Sequence, residues 1–499
     1  MLAKIHSAIL DGLEGKIIEV EAGLMNGLNS FSIIGLTDKA IQEAKERVNL
    51  ALKSINAKPP VKFNKRIVIN LAPANIKKEG SYLDLAITIS FLIASKQIKK
   101  PTKKILFLGE LSLDGKLRRI KGVLPIILTL QNDFDEIYLP EENLNEVKYL
   151  KINKIYLFKN LKEVIDHLEK LKLKERLKPE EIIPTDDSDQ DLSFIKISDF
   201  IFRALLVSAS GRHNLLLFGP PGTGKTLIAK NLINLLPKLT YQEAIEVSSI
   251  YSACGYELDK LIFLPPFRNP HHSSSATSII GGGQNPKPGE ITLAHRGILF
   301  FDELPEFKRD ILEALREPLE NGEITIGRAK TTVKFPAKFL FIGAYNPCPC
   351  GFYNDPQKEC RCTLAEINKY HKKLSGPILD RIDIQINVPR LKSKEMLAES
   401  NLDFKTIREK IKELKEKQFK RQNKYNSELS PKEIKIYCRI DNSAEKLLYQ
   451  AAERLCLSPR GIHKIIKISK TIADLENKEI INQDHIAEAL QYRLTNSDF

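Results

Sequence analysis

No stretch of the 499 residues approaches the roughly 18 to 20 consecutive apolar residues that a bilayer-spanning helix requires, which argues against a membrane-spanning chain. The opening Met1-Leu-Ala-Lys-Ile-His lacks a basic segment leading into an apolar core, so no secretory leader is expected and the expected location is cytoplasmic. Cysteine is scarce. The seven residues, four of them crowded between Cys348 and Cys362, do not suit a secreted disulfide framework and agree with a reducing compartment. Repeats with a period of about 20 to 50 residues and long low-complexity tracts are also missing, which argues against a repeat array.

Against these absences stands a soluble, foldable composition, 42% hydrophobic and 28% charged. The balance of 77 Lys and Arg over 63 Asp and Glu gives a net charge of +14. Such a surplus raises the local concentration of a polyanion such as DNA or RNA, and it equally arises from lysines on ordinary solvated faces.

The length suits two or three compact units. Residues 1–168 read as α/β: Arg66-Ile-Val-Ile-Asn70 and Lys104-Ile-Leu-Phe-Leu108 are strand-like. Between them and the N-terminus, Ala40, Ala44, Val48, Ala51, Leu52 and Ile55 recur at helical spacing behind the candidate caps Thr37 and Asp38, up to the stop at Pro59-Pro60. Residues 169–194 shift to a lysine/glutamate stretch with prolines and an acidic run, as expected of a linker. Residues 195–392 alternate strands and helices, as in a sheet covered on both faces, and residues 393–499 read as helical. One late helix opens with Ser458 as cap and Pro459 in its first turn.

The most specific local pattern is an apolar strand, Asn214-Leu-Leu-Leu-Phe218, running directly into Gly219-Pro220-Pro221-Gly222-Thr223-Gly224-Lys225-Thr226 and then into helix-compatible sequence. This is the strand, loop and helix context of a P-loop. The glycines let backbone amides face phosphate oxygens, and the helix N-terminus adds its positive dipole end. Lys225 is expected to reach the β- and γ-phosphates of ATP, and Thr226 to ligate Mg²⁺. Further on, Gly297-Ile-Leu-Phe-Phe-Asp302-Glu303 is an apolar strand ending in two carboxylates. Asp302 is expected to hold Mg²⁺ and Glu303 to polarise the attacking water.

With these motifs, the runs Phe267-Arg-Asn-Pro-His-His-Ser-Ser-Ser275, Gly281-Gly-Gly-Gln284, Asn346-Pro-Cys-Pro-Cys-Gly351 and Ser375-Gly-Pro-Ile-Leu-Asp-Arg-Ile-Asp383 make the chain resemble the magnesium-chelatase-like AAA+ family known as YifB or ComM. The resemblance extends over nearly the whole sequence. It implies an α/β P-loop AAA+ core with a helical lid, preceded by a Lon-protease-like (S5-type) α/β domain. By the same resemblance Asn346 is the sensor-1 residue near the γ-phosphate. Arg381 is an arginine finger that reaches a neighbouring subunit's site, and Arg460 is the sensor-2 arginine of the lid contacting the phosphates. The implied activity is that of an ATP-hydrolysing ring, expected to be a hexamer, moving on branched or single-stranded DNA in branch migration and recombination. A protein-remodelling or chelatase-motor-like ATPase acting on a protein client is the alternative. The stretch Tyr251–Arg296 is long for its place in this fold; Gly281 to Gln284 are either a mobile tip touching substrate or a structural loop. His271 and His272 either stack on bases or cap the turn.

Cys348, Cys350, Cys360 and Cys362 offer four thiolates on one loop, either a closed tetrahedral Zn²⁺ site or reduced structural thiols, with redox chemistry the least favoured reading. In the N-terminal region, Lys78-Glu-Gly-Ser-Tyr-Leu-Asp-Leu-Ala86 and Gly109-Glu-Leu-Ser-Leu-Asp-Gly-Lys-Leu117 resemble the Lon proteolytic domain. Tyr82 and Leu124 stand where that resemblance requires the nucleophilic serine and its lysine; Ser81 and Lys121 are the remaining candidates, so a noncatalytic platform is expected. Lys62, Lys65, Arg66, Lys77, Lys78, Arg118, Arg119 and Lys121 could make it a phosphate-binding surface.

Overall fold

The computed structural model describes residues 2–78, 80–180, 198–283, 286–327, 332–355, 357–374, 376–390 and 404–493. The expected linker's acidic run therefore lies outside the described residues, as do Gln284 and Ser375. The chain divides into two compact units, residues 1–185 with 244–262, and residues 186–243 with 263–499.

The first unit is built on a seven-stranded mixed sheet of β1 (Leu2–Asp11), β2 (Glu14–Asn26), β3 (Ser30–Ile34), β4 (Lys65–Ala72), β5 (Ile105–Phe107), β6 (Glu136–Pro140) and β7 (Ile155–Phe158). The strand order is β3-β4-β2-β1-β5-β6-β7. The helix Lys39–Ser54 begins at Asp38, whose carboxylate accepts the Ile41 amide at 2.9 Å, and buries Ala44, Val48, Ala51 and Leu52, the periodic face read from the sequence. Every residue of the helix Asp84–Ala94 is buried, and its polar members are satisfied locally: the Thr88 and Ser90 hydroxyls donate to the carbonyls of Asp84 and Ile87. Asp84 itself, 1% exposed, is held by Arg47 through Nε–Oδ2 at 2.7 Å and a second guanidinium contact at 3.1 Å. Burial pushes the Asp84 carboxyl up, and Arg47 opposes the shift.

Residues 244–262, which the sequence places within the ATPase core, belong to this first unit. Ser252 donates to the buried Glu146 at 2.6 Å and its carbonyl accepts from Gly122. Arg119 binds Glu146, the Tyr256 carbonyl and Glu257.

The second unit carries a five-stranded sheet of β8 (Leu215–Phe218), β9 (Phe267–Arg268), β10 (Ile298–Phe301), β11 (Leu340–Tyr345) and β12 (Ile384–Asn387), in the order β9-β10-β11-β8-β12. All its pairings are parallel. Parallel sheets are covered on both faces, and β8, β10 and β11 are accordingly unbroken apolar runs in which every residue is buried. The helices Asp199–Gly211, Lys225–Leu232, Phe404–Gln422, Asn442–Arg454, Pro459–Leu475 and Gln483–Gln491 contribute to the same apolar core. The helix Pro459–Leu475 starts where its sequence signals it, with the Ser458 hydroxyl accepting the Gly461 amide at 3.1 Å. Among the described residues no helix is long and apolar enough to cross a membrane.

Candidate functional site

The register of the parallel sheet assembles the site. Phe218 pairs with Tyr345, and Phe301 with Gly343, so β8, β11 and β10 end at nearly the same level. The residues that leave those ends are Gly219, Asn346, and Asp302 with Glu303, far apart in sequence and adjacent in space.

At Gly219 (φ +153°) a Cβ would lie 2.3 Å from the Val388 carbonyl oxygen, so a side chain is excluded by backbone. Gly224 adopts the left-handed φ of +85° and precedes the helix Lys225–Leu232. Lys225, 8% exposed, donates to the carbonyls of Gly219 and Pro220 at 2.7 and 2.8 Å and to Asn346 Oδ1 at 3.1 Å. Burial lowers its pKa to about 8, against the pull of Asp302. The lysine is thus poised in a loop whose carbonyls hold it where phosphate oxygens would. Thr223 Oγ1 donates to the Pro220 carbonyl, 3.0 Å away, which stiffens the turn.

Thr226 Oγ1 donates to Asp302 Oδ2 at 2.6 Å. A hydroxyl and a carboxylate so close are two hard oxygen donors of the kind Mg²⁺ takes, with waters and phosphates completing its shell. Asp302 Oδ1 accepts the Glu303 amide at 3.0 Å. Glu303 has a left-handed backbone (φ +52°), uncommon for a residue with a side chain. Its Oε2 lies 3.3 Å from His272 Nδ1. His271 serves its own turn, its Nδ1 being 2.7 Å from Ser273 Oγ. The capping alternative therefore fits His271, while the contact between His272 and Glu303 was not read from the sequence. Only a tertiary contact joins those two, and no spacing rule announces it. Gly281 and Gly282 pair with Pro288 and Lys287 in a small hairpin.

Arg381 and Arg460 are not brought to this P-loop. Arg381 lies beside the opposite, N-terminal end of β8, where Asn214 Nδ2 donates to its carbonyl at 3.3 Å. Its guanidinium pairs with Glu320 at 2.5 Å, and Arg460 reaches the same carboxylate at 3.4 Å. Four strand residues, at about 3.3 Å each, separate this edge from the P-loop. Within one chain Arg460 thus meets Glu320 beside Arg381 and not the P-loop, its helix beginning on the N-terminal side of the sheet. Both arginines line a cavity of about 830 Å³ together with Lys338, His463, Lys464 and Lys467.

The Sγ atoms of Cys348, Cys350, Cys360 and Cys362 all lie within 4.8 Å of one another, and these cysteines are not disulfide-bonded. In the first unit Leu124 is buried, the Ser81 hydroxyl donates to Glu110, and Lys121 packs against Gly255. Of the eight basic residues read there as a phosphate surface, Lys78 is fully buried, its ammonium donating to the Pro73 carbonyl, and Arg119 is committed to Glu146. Those two are withdrawn from any such surface.

A buried parallel sheet with a glycine loop and two acids at its strand ends defines a P-loop ATPase core of the AAA+ class. Family models agree: "Magnesium chelatase, subunit ChlI" matches residues 191–396, "Subunit ChlI of Mg-chelatase" residues 20–143 and "Magnesium chelatase, subunit ChlI C-terminal" residues 402–493. The competence protein ComM of Haemophilus influenzae is 41% identical over 99% of this chain and 97% of its own length. YifB of Escherichia coli is 37% identical over the same shares. The magnesium-chelatase 38 kDa subunit of Rhodobacter capsulatus is 24% identical over 58% of this chain and 84% of its own. The chain belongs to the magnesium-chelatase-like AAA+ family of ComM and YifB.

Proposed function

We propose that the second unit binds and hydrolyses ATP with Mg²⁺, and that the chain works as a hexameric AAA+ ring motor on DNA, in branch migration or recombination. The observation that carries this reading is the meeting of Lys225, Thr226, Asp302, Glu303 and Asn346 at three strand ends. Residues 219–226 cradle the triphosphate through their amides, and Lys225 exchanges loop carbonyls for phosphate oxygens. Thr226 and Asp302 would hold Mg²⁺, which would supply neutralisation of phosphate charge. Glu303 takes the proton of the attacking water, which Asn346 helps to orient.

The arginines support a ring. Arg381 and Arg460 sit at the sheet edge away from their own P-loop, so the phosphates they neutralise belong to a neighbouring copy. The net charge of +14 and the similarity to a competence protein favour DNA as the track. We further read residues 1–168 as a noncatalytic, Lon-like platform, since Tyr82 and Leu124 stand where the serine and lysine are expected and the Ser81 hydroxyl is engaged by the Glu110 carboxylate.

The test is ATP turnover with and without branched or single-stranded DNA at several salt concentrations. Stimulation that fades as salt rises is expected, because phosphate contacts release counterions. Absence of both stimulation and DNA retention at low salt would overturn the DNA reading in favour of a protein client.

A further inference from the structure

The loop between Asn346 and the helix Leu364–His371 carries four cysteines for which the hydrolytic chemistry has no use. We propose that Cys348, Cys350, Cys360 and Cys362 form a structural tetrathiolate Zn²⁺ site that fastens this loop to the P-loop.

Sulfur spacing is the first ground. Cys348 Sγ lies 3.3 Å from Cys350 Sγ and 3.7 Å from Cys360 Sγ, and the latter two are 3.6 Å apart. A tetrahedral ion with metal–sulfur bonds of about 2.3 Å places its sulfurs about 3.8 Å from one another. A disulfide would bring a pair to about 2.05 Å. The three distances among Cys348, Cys350 and Cys360 lie near the metal spacing and well beyond a disulfide, and Cys362 Sγ lies within 4.8 Å of the other three. Burial does not explain the gathering, since Cys350, Cys360 and Cys362 are all partly exposed and thiols are weak mutual hydrogen-bond partners.

The surroundings suit thiolates. The Tyr353 amide points at Cys348 Sγ at 3.3 Å and the Cys362 amide at Cys360 Sγ at 3.4 Å, backbone donors of the kind that offset charge around a metal–sulfur centre. Gly351 at φ +85° and Asn354 at φ +59° turn the chain in the segment between the two Cys-x-Cys pairs. An all-sulfur donor set selects zinc over magnesium, and four protein ligands leave no open position, so the site is structural.

Three attachments give the site its consequence. Cys348 follows Asn346, the acceptor of Lys225, by two residues. A Cβ on Gly351 would lie 2.8 Å from Pro221 Cδ, so the loop rests directly on the P-loop. Asp355 is held by Arg390 at 2.9 Å, beyond the end of β12. Losing the metal frees the loop between these anchors and loosens the support of Pro221 and Asn346. This second part rests on the ATP-binding reading; the metal site does not.

Elemental analysis of the full chain, purified under reducing conditions without added metal, is expected to find about one zinc per chain. Replacement by Co²⁺ should give thiolate-to-metal charge-transfer bands and tetrahedral d–d absorption. Cys360→Ser/Cys362→Ser should lose the zinc. Wild-type protein stripped with a thiol-reactive mercurial, then reduced, should release it and bind a fluorescent ATP analogue more weakly, with recovery on adding Zn²⁺. A wild-type chain without zinc that gives no tetrathiolate Co²⁺ spectrum, or a double variant that keeps its zinc, overturns the site. Equal nucleotide affinity with and without zinc overturns the tie to the P-loop. Failure of both forms to bind nucleotide would instead strike the ATP reading and leave the zinc count standing.

Discussion

On the proposed mechanism, Glu303 and Lys225 each carry a separate part of the chemistry on a single side chain. Glu303 is anchored at its amide by Asp302 and at its carboxylate by His272, which aims it beyond the strand end. Glu303→Gln keeps the shape and removes the base, so turnover should fall by about 10²- to 10⁴-fold while nucleotide binding persists. Unchanged turnover in a steady-state ATPase assay would remove Glu303 from catalysis. Lys225 supplies a pH prediction. Burial holds its pKa near 8 in the phosphate-free site. Phosphate oxygens favour the charged form, so binding raises that pKa and takes up a proton wherever the free lysine is already neutral. Affinity for an ATP analogue should therefore decline as the pH climbs above about 8, and calorimetry in buffers of different ionisation enthalpy should show the uptake. A pH-independent affinity with no proton uptake would contradict it. The glycine loop and the two acids were legible because each is a contiguous run with one mechanical meaning. The contact of His272 with Glu303 was not, since only the pairing of β9 with β10 brings their segments together.

Among the elements, the strands that carry chemistry were the readable ones. β8, β10 and β11 are buried on both faces, and burial of that kind writes itself as continuous apolar sequence. β9 has only two residues, too few for any periodicity to mark. The helix Asp84–Ala94 shows how an element can depend on one distant partner. Its first residue buries a carboxylate that Arg47, from the helix Lys39–Ser54, neutralises. Arg47→Met should destabilise the first unit by about 3 kcal/mol, because it strands a buried charge, and Arg47→Met/Asp84→Leu should recover much of that loss. Hydrogen exchange across Asp84–Ala94 in the full chain is the measurement. Unaltered protection in the single variant would show that the pair contributes little.

On the proposed ring reading, no single chain completes its own ATPase site. Arg381 shares Glu320 with Arg460 at one edge of the sheet, whereas the P-loop opens at the other. Arg381→Ala should assemble and bind nucleotide yet turn over about 10³- to 10⁵-fold more slowly. Mixing it with Glu303→Gln subunits should restore part of the turnover, since an intact Arg381 can then face an intact Glu303 across a subunit boundary. No recovery in mixed assemblies, or full activity of Arg381→Ala alone, would refute action between subunits. The division into units also departs from a reading along the chain. Residues 244–262 fold with the first unit through Ser252, Glu146 and Arg119. Charged partners more than a hundred positions away leave no local trace.

By itself the sequence determined the class of this protein. A glycine-lined turn behind an apolar strand, and an apolar strand ending in two acids, are local patterns in which neighbouring residues state both conformation and chemistry. Tertiary structure alone decided which side chains meet. It gathered four sulfurs, one buried and three partly exposed, to within 4.8 Å of one another, set His272 against Glu303, and carried Arg460 to the far edge of the sheet. The reason is physical: periodicity and turn chemistry act over a few residues, whereas the parallel register that aligns distant strand ends comes only when the sheet closes its core.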